Sequence, residues 1–245
     1  MFRGLWRLTW LEMKIFAREP LGLIGTVALP VVLFALLGRL ARPGVGSAPR
    51  FASEDLPIFA SLLMAVSAVL SLIAIVAIYR ESGILKRLRA TPLRPHTILT
   101  AHVLSKLAFT AVTLVLMVVI GRRYYSVPDG VPLASFMVAL LFCTLSLLSI
   151  GFVVASLVRT ARFAQPVGTL VFYPMLGLSG LFAPLESLPP LLRAVARVLP
   201  LTAATSLLRG VWHGEGWTAH LVDVALLLVT FVVCIAVSSR VFRWK

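Results

Sequence analysis

The stretch PLASFMVALLFCTLSLLSIGFVVASLV, residues 132–158, decides the fold class of this chain. It runs from Pro132 to Val158 without one charged side chain. A helix needs about 20 apolar residues to cross the hydrocarbon of a bilayer, and this run meets that length. Five comparable runs accompany it: Leu21–Leu40, Pro57–Tyr79, Thr97–Ile120, Ala164–Phe182 and His220–Ser239. Composition agrees with membrane helices. Of 245 residues 60% are hydrophobic and 13% charged, and the mean hydropathy is +1.00. A soluble domain has about 45–50% apolar and about 25% charged residues, so a soluble globular domain and a disordered chain are both excluded. The expected fold is an all-α polytopic membrane protein with six transmembrane helices.

The charge follows the gaps between these runs. The net +14 would suggest nucleic acid in a soluble protein. Here the segments before span 1, between spans 2 and 3, between spans 4 and 5 and after span 6 carry +11 of it. The alternate segments, counted with Arg39 at the end of span 1, carry +3, while Lys106 and Asp223, inside spans, cancel. The positive-inside rule then puts both termini in the cytoplasm, and no nucleic-acid partner is expected. Span 1 is not expected to be a cleaved signal, being longer than a signal core and lacking a small-x-small site after it. Cys143 and Cys234 both fall inside spans, where a disulfide framework is not expected. His96, His102, His213 and His220 have no metal-ligand spacing, so no metal site is expected.

Three non-spanning segments carry the remaining information. In residues 2–19, Phe2, Leu5, Trp6, Thr9, Met13 and Phe16 recur at helical spacing, with Arg3, Arg7, Lys14 and Arg18 on another face. Such a helix lies along the membrane interface, rings at the acyl boundary and cations at anionic headgroups; it serves as an anchor or as a lever for a cytoplasmic partner. Arg80–His96 contains a short amphipathic helix, with Ile84, Leu85 and Leu88 beside Lys86, Arg87 and Arg89, stopped by Pro92 and Pro95. It is too short to be stable alone and needs lipid or a protein to pack against. In Ala183–Trp217, Ser187 is placed to cap a helix with Pro189 and Pro190 in its first turn. Arg193 and Arg197 oppose its apolar side, Pro200 breaks it, and a second short helix follows. The pair is read as re-entrant or interfacial, either a lid or a gate.

These features together resemble the ABC-2 type transporter permeases, the membrane subunits of bacterial ABC exporters. The resemblance rests on the basic amphipathic start, on Arg80-Glu81-Ser82-Gly83-Ile84-Leu85-Lys86-Arg87-Leu88-Arg89-Ala90-Thr91-Pro92, and on Gly180-Leu181-Phe182-Ala183-Pro184-Leu185-Glu186-Ser187-Leu188-Pro189-Pro190 continuing to Leu199-Pro200-Leu201-Thr202. It spans essentially the whole chain, residues 1–245, as a single transmembrane domain. It implies a coupling helix between spans 2 and 3 that docks on an ATP-binding subunit, carried by Arg80, Glu81, Lys86, Arg87, Leu88, Arg89 and Pro92. It further implies an outer-face helix pair marked by Glu186, Pro189, Arg193 and Arg197, and pairing with a second copy or a similar permease. The implied location is the bacterial inner membrane, and the implied cargo a lipophilic drug or antibiotic, a lipid or a glycan.

The residues support a division of labour with another subunit. A P-loop needs Gly-Lys-Ser/Thr, and the four lysines here follow Met13, Leu85, Ser105 and Trp244. No cofactor is expected on this chain, and ATP and Mg are expected on the partner. A rival reading is an intramembrane serine protease: Gly177-Leu178-Ser179-Gly180 matches the rhomboid Gly-x-Ser-Gly, with His220 as base. Against it, Asp223 stands where that family has Gly, and small-residue packing accounts for Gly177 and Gly180. A passive channel or scaffold is the third class. Within span 5, Gln165, Thr169, Tyr173 and Gly177 share one face, either bordering an export path or making ordinary interhelical hydrogen bonds, and Pro174 is placed to kink it. Lys106 is expected to snorkel to headgroups.

Overall fold

The computed structural model describes residues 2–18, 20–40, 56–81, 95–124, 132–158, 160–180 and 184–241. Among them all regular structure is helical. The helices are α1 (Phe2–Arg18), α2 (Pro20–Leu23), a π turn (Ile24–Ala28), α3 (Leu29–Leu40), α4 (Leu56–Glu81), α5 (Pro95–Tyr124) and α6 (Leu133–Leu157). Then follow α7 (Ala161–Gly177), α8 (Pro190–Val198), α9 (Pro200–Trp212) and α10 (Leu221–Val241), with 3-10 turns at Leu185–Ser187 and Trp217–His220. Each of the six apolar runs thus falls largely within helix.

Among the described residues, three stretches are long and apolar enough to cross a membrane on their own: Thr100–Ile120, Leu133–Leu157 and Trp217–Ser238. The chain is therefore a multi-pass membrane protein. The second run lies in α4, an unbroken helix of 26 residues, and the first and fifth runs carry internal prolines. In the first, Pro30 has no N–H to give, and the π turn just before it, closed by Leu29 N–H on the Ile24 carbonyl, absorbs the lost bond. The fifth is a helix from Ala161 that stops at Gly177, short of the expected Phe182, and holds Pro166 and Pro174 within it. Its last two expected residues lie outside the described ones.

α4 and α6 form the heart of the bundle. α4 is apolar all round, as a helix enclosed by others must be, and buries Ile58, Leu62, Ala65, Val69, Leu72, Ile73 and Val76. Glycines let its neighbours come close. A Cβ on Gly151 of α6 would lie 2.9 Å from Val69 Cγ1, and one on Gly168 of α7 would lie 2.8 Å from Leu70 Cδ2. α3 and α5 pack on the other side of α4, α1 runs along α5, and α9 and α10 pack on α6. α10 is one-sided: Leu227 is buried, whereas Val222, Val229 and Val232 face outward.

The helix pair divides into an outer and an inner member. α8 and α9 meet at 77°. α8 exposes Leu191, Val195 and Val198 and buries Ala196, while α9 buries most of its length, from Leu201 to Trp212. Trp212 meets Phe136 of α6 edge-on at 5.1 Å. The expected cap is a correction: Ser187 does not cap α8. Its hydroxyl turns back to donate to the Pro184 carbonyl at 2.7 Å. Pro189 occupies the cap position without a side-chain cap bond, and Pro190 removes one of the N–H groups a cap would satisfy.

Candidate functional site

α1 meets α4 and α5 at the end where these two helices lead into and out of segment 82–94. Glu12 is the centre of the contact. Its Oε2 accepts from His102 Nδ1 of α5 at 3.3 Å, and its Oε1 accepts from the Tyr79 hydroxyl of α4 at 3.3 Å. One turn along α5, Ser105 Oγ donates to the Thr9 carbonyl at 3.2 Å. Farther on, the Phe16 and Phe109 rings meet tilted at 49°, centroids 4.6 Å apart, and Lys106 Nζ sits 3.8 Å from the Phe16 ring centroid. Thr9, Glu12 and Phe16 fall at i, i+3 and i+7, as do His102, Ser105 and Phe109, so one stripe of each helix meets the other. The His102 hydrogen bond, aided by the His102 charge, Tyr79 and Lys106, holds the Glu12 carboxyl below its ordinary 4.5 against the opposing effect of burial.

The apolar face expected for α1 divides in two. Of that face, Thr9 and Phe16 are buried against the bundle while Trp6 is exposed; Trp10, Leu11 and Ile15, outside it, are also exposed beside Arg7, Lys14 and Arg18. Lys106, expected to snorkel, is 2% exposed and covered by Phe16. A cation over a ring face is attracted by the ring quadrupole, which accounts for its place there.

Arg80 and Glu81 close α4, with Glu81 exposed. Lys86, Arg87, Leu88, Arg89 and Pro92 lie outside the described residues. On α7, Gln165 and Tyr173 are exposed and Thr169 half-buried, its hydroxyl spent on the Pro166 carbonyl at 2.9 Å. Gly177 shares their face, and a Cβ there would meet nothing within 4 Å. Gly177 is therefore not a packing glycine of this chain, contrary to expectation. Gly180, at φ +77, makes a left-handed turn against Leu185. Among the described residues the packing glycines are Gly151, Gly168 and Gly210, and nothing in the sequence distinguishes them from Gly177.

At the helix pair Glu186, Pro189 and Arg197 are exposed. Arg193 is the organising residue: its guanidinium donates to the carbonyls of Leu185, Glu186 and Leu188. It locks the 3-10 turn against the first turns of α8, a role that the alternation of charge could not reveal. The protease pair is not assembled. Ser179 Oγ donates to the Leu176 carbonyl at 2.7 Å, and the ring nitrogens of His220 face Glu215, Asp223 and Ser206. Among the described residues no group of His, Cys, Asp and Glu is arranged to hold a metal ion.

Comparison with known proteins places these features in a family. The ABC-2 type transporter family model matches residues 3–212. The chain is 28% identical over 172 residues to "ABC transporter G family member 20" of Dictyostelium discoideum, which covers 66% of this chain and 23% of that protein. It is 28% identical over 138 residues to "Probable multidrug ABC transporter permease YbhR" of Escherichia coli (strain K12), covering 56% of this chain and 37% of that one. The chain thus spans less than half the length of these curated relatives. With the family match running from α1 through α9, and apolar helices that suit a bilayer, the chain belongs to the ABC-2 type transporter family.

Proposed function

We propose that this chain is the permease subunit of an ATP-driven exporter. It has six spans, both termini in the cytoplasm of a bacterial inner membrane, and a separate ATP-binding subunit that carries ATP and Mg. The observation that carries the reading is the Glu12 contact: one carboxylate joins α1 to both helices that border segment 82–94. A push on that segment, through Arg80, Glu81, Lys86, Arg87, Leu88, Arg89 and Pro92, is then felt by α1, α4 and α5 together. Packed helices move as near-rigid elements, so the displacement reaches the far ends of the spans.

Two copies, or this chain and a similar one, pair around the export path. The exposed face of Gln165, Tyr173 and Gly177 supports placing that path along α7. Apolar outward surfaces on α8 and α10 suit a lipophilic drug, lipid or glycolipid cargo that leaves through the outer leaflet. The relative named as a multidrug permease supports the drug end of this range.

The test is charge reversal at Arg87→Glu and Arg89→Glu. The double variant should insert normally and pair with its motor subunit less tightly, with export lost while ATP hydrolysis continues. Full export by that variant would remove the coupling role from segment 82–94.

A further inference from the structure

At the end of the bundle where α6 begins, His220 closes the 3-10 turn and lies between acids. Its Nε2 is 2.7 Å from Glu215 Oε2, and its Nδ1 is 3.1 Å from Asp223 Oδ2. Ser206 of α9 donates to that same Asp223 oxygen at 2.7 Å and lies 3.5 Å from Nδ1. The imidazole is seated on Gly210 of α9, where any Cβ would collide with the ring. The side chains of His220 and Asp223 are 13% and 23% exposed, and that of Glu215 is 56% exposed.

Counting donors shows what this arrangement requires. A neutral imidazole has one N–H and one lone pair, so one of its nitrogens would turn a lone pair toward a carboxylate oxygen. Only a ring protonated on both nitrogens donates to both acids. Such a ring has no lone pair left for a metal. Among the described residues the groups around it are few. The loop contributes Glu215 and, at its start, exposed His213; α10 contributes Asp223. α9 contributes Ser206 and, one residue before Gly210, half-buried Arg209. α6 has no charged residue and contributes Ser135, which accepts from Trp217 Nε1 at 2.8 Å.

We propose that His220 is a proton-held strap that fastens the loop at residues 213–216 to α9 and α10. With its second proton the ring binds both acids and the loop is closed. When the ring loses that proton, its remaining N–H stays with Asp223, the more buried acid and the one also held by Ser206. Glu215, largely exposed, then turns to water, and the loop is left held by the Glu215 N–H to Gly210 carbonyl bond at 2.8 Å and the Gly214 N–H to Val211 carbonyl bond at 3.1 Å, so it opens more often. Trp217 stays pinned to Ser135, which confines the opening to the residues before it. This is a pH-sensitive flap beside the helix pair, distinct from the Glu12 contact.

Hydrogen exchange of the peptide covering residues 211–217 tests this in the purified chain in lipid nanodiscs, from pH 5.5 to 8.5, corrected for intrinsic exchange. Opening should rise with pH, approaching about tenfold per pH unit, the limit for release of one proton. His220→Gln and, separately, Glu215→Gln should abolish the slope while exchange in α5 and α6 stays as in the parent. Glu215 is exposed, so its substitution keeps the test valid if His220→Gln does not fold. A flat profile in the parent chain, or a slope that survives in Glu215→Gln, would overturn the strap. The assay reads no transport, so its result is separate from the fate of the exporter reading.

Discussion

Glu12 and His102 are ninety residues apart in the chain and 3.3 Å apart in space. The bond joins a helix that lies along the bundle to one that runs through it, and the Tyr79 hydroxyl closes the triangle from α4. Glu12→Gln keeps the shape and removes the charge. Losing a charged hydrogen bond of this kind costs about 1–3 kcal/mol, and the variant should melt several degrees lower in nanodiscs. An unchanged melting point would show that the contact carries no stability.

The same carboxyl sets an acid limit. Its folded pKa is depressed from 4.5, so its contribution is fully present above that value and is lost as pH falls through the lower, folded one. Melting curves should show the parent losing stability in this acid window more steeply than Glu12→Gln. Parallel curves would contradict the assignment.

Gly151 and Gly168 leave no room beside α4. Overpacking a tight contact costs typically about 1–3 kcal/mol. Gly151→Val and Gly168→Val should lower the yield of folded chain and its melting temperature. Gly177→Ala, into open space at the last residue of α7, should leave the melting temperature close to the parent's, since the added methyl meets nothing within 4 Å. Equal losses at all three positions would mean that the steric argument is wrong.

Arg193 holds three carbonyls with one planar fork. Arg193→Lys, which keeps the charge, should rescue little of the loss seen in Arg193→Ala. Limited proteolysis between residues 184 and 189 would read this directly, with faster cleavage in both variants. Full protection in the lysine variant would show that charge alone is enough.

Tyr173 is exposed on α7. If that face borders the export path, Tyr173→Ala should change the rate or the range of cargo exported by reconstituted transporter while leaving its melting point unchanged. Export identical in rate and selectivity would move the path elsewhere.

Much of the fold was legible because the bilayer imposes one rule on each span. An apolar run such as Pro132–Val158 must satisfy its backbone internally, so it becomes a helix whatever its neighbours are. Local rules failed where a tertiary partner decided. Ser187 had the right chemistry to cap α8, but the turn before it took the hydroxyl. Phe16 looked like an interfacial ring because periodicity reveals a face and not what covers it. Glu12, Tyr79 and His102 carried no local sign of their meeting, which depends on how α1, α4 and α5 pack. The positions at 86–89 were legible as an amphipathic basic cluster, and they lie outside the described residues.

The cover that Phe16 places over Lys106 has a consequence for biogenesis. A lysine at the centre of a membrane helix costs about 2.5–3.5 kcal/mol to insert, and Lys106, nearer the start of the apolar stretch Thr100–Ile120, carries part of that cost. Residues 2–18 are synthesised well before residue 106, so the ring that shelters this charge exists before α5 does. On that order of synthesis, Phe16→Ala is expected to lower the yield of inserted chain, and an unchanged yield would confine the ring's effect to the folded protein.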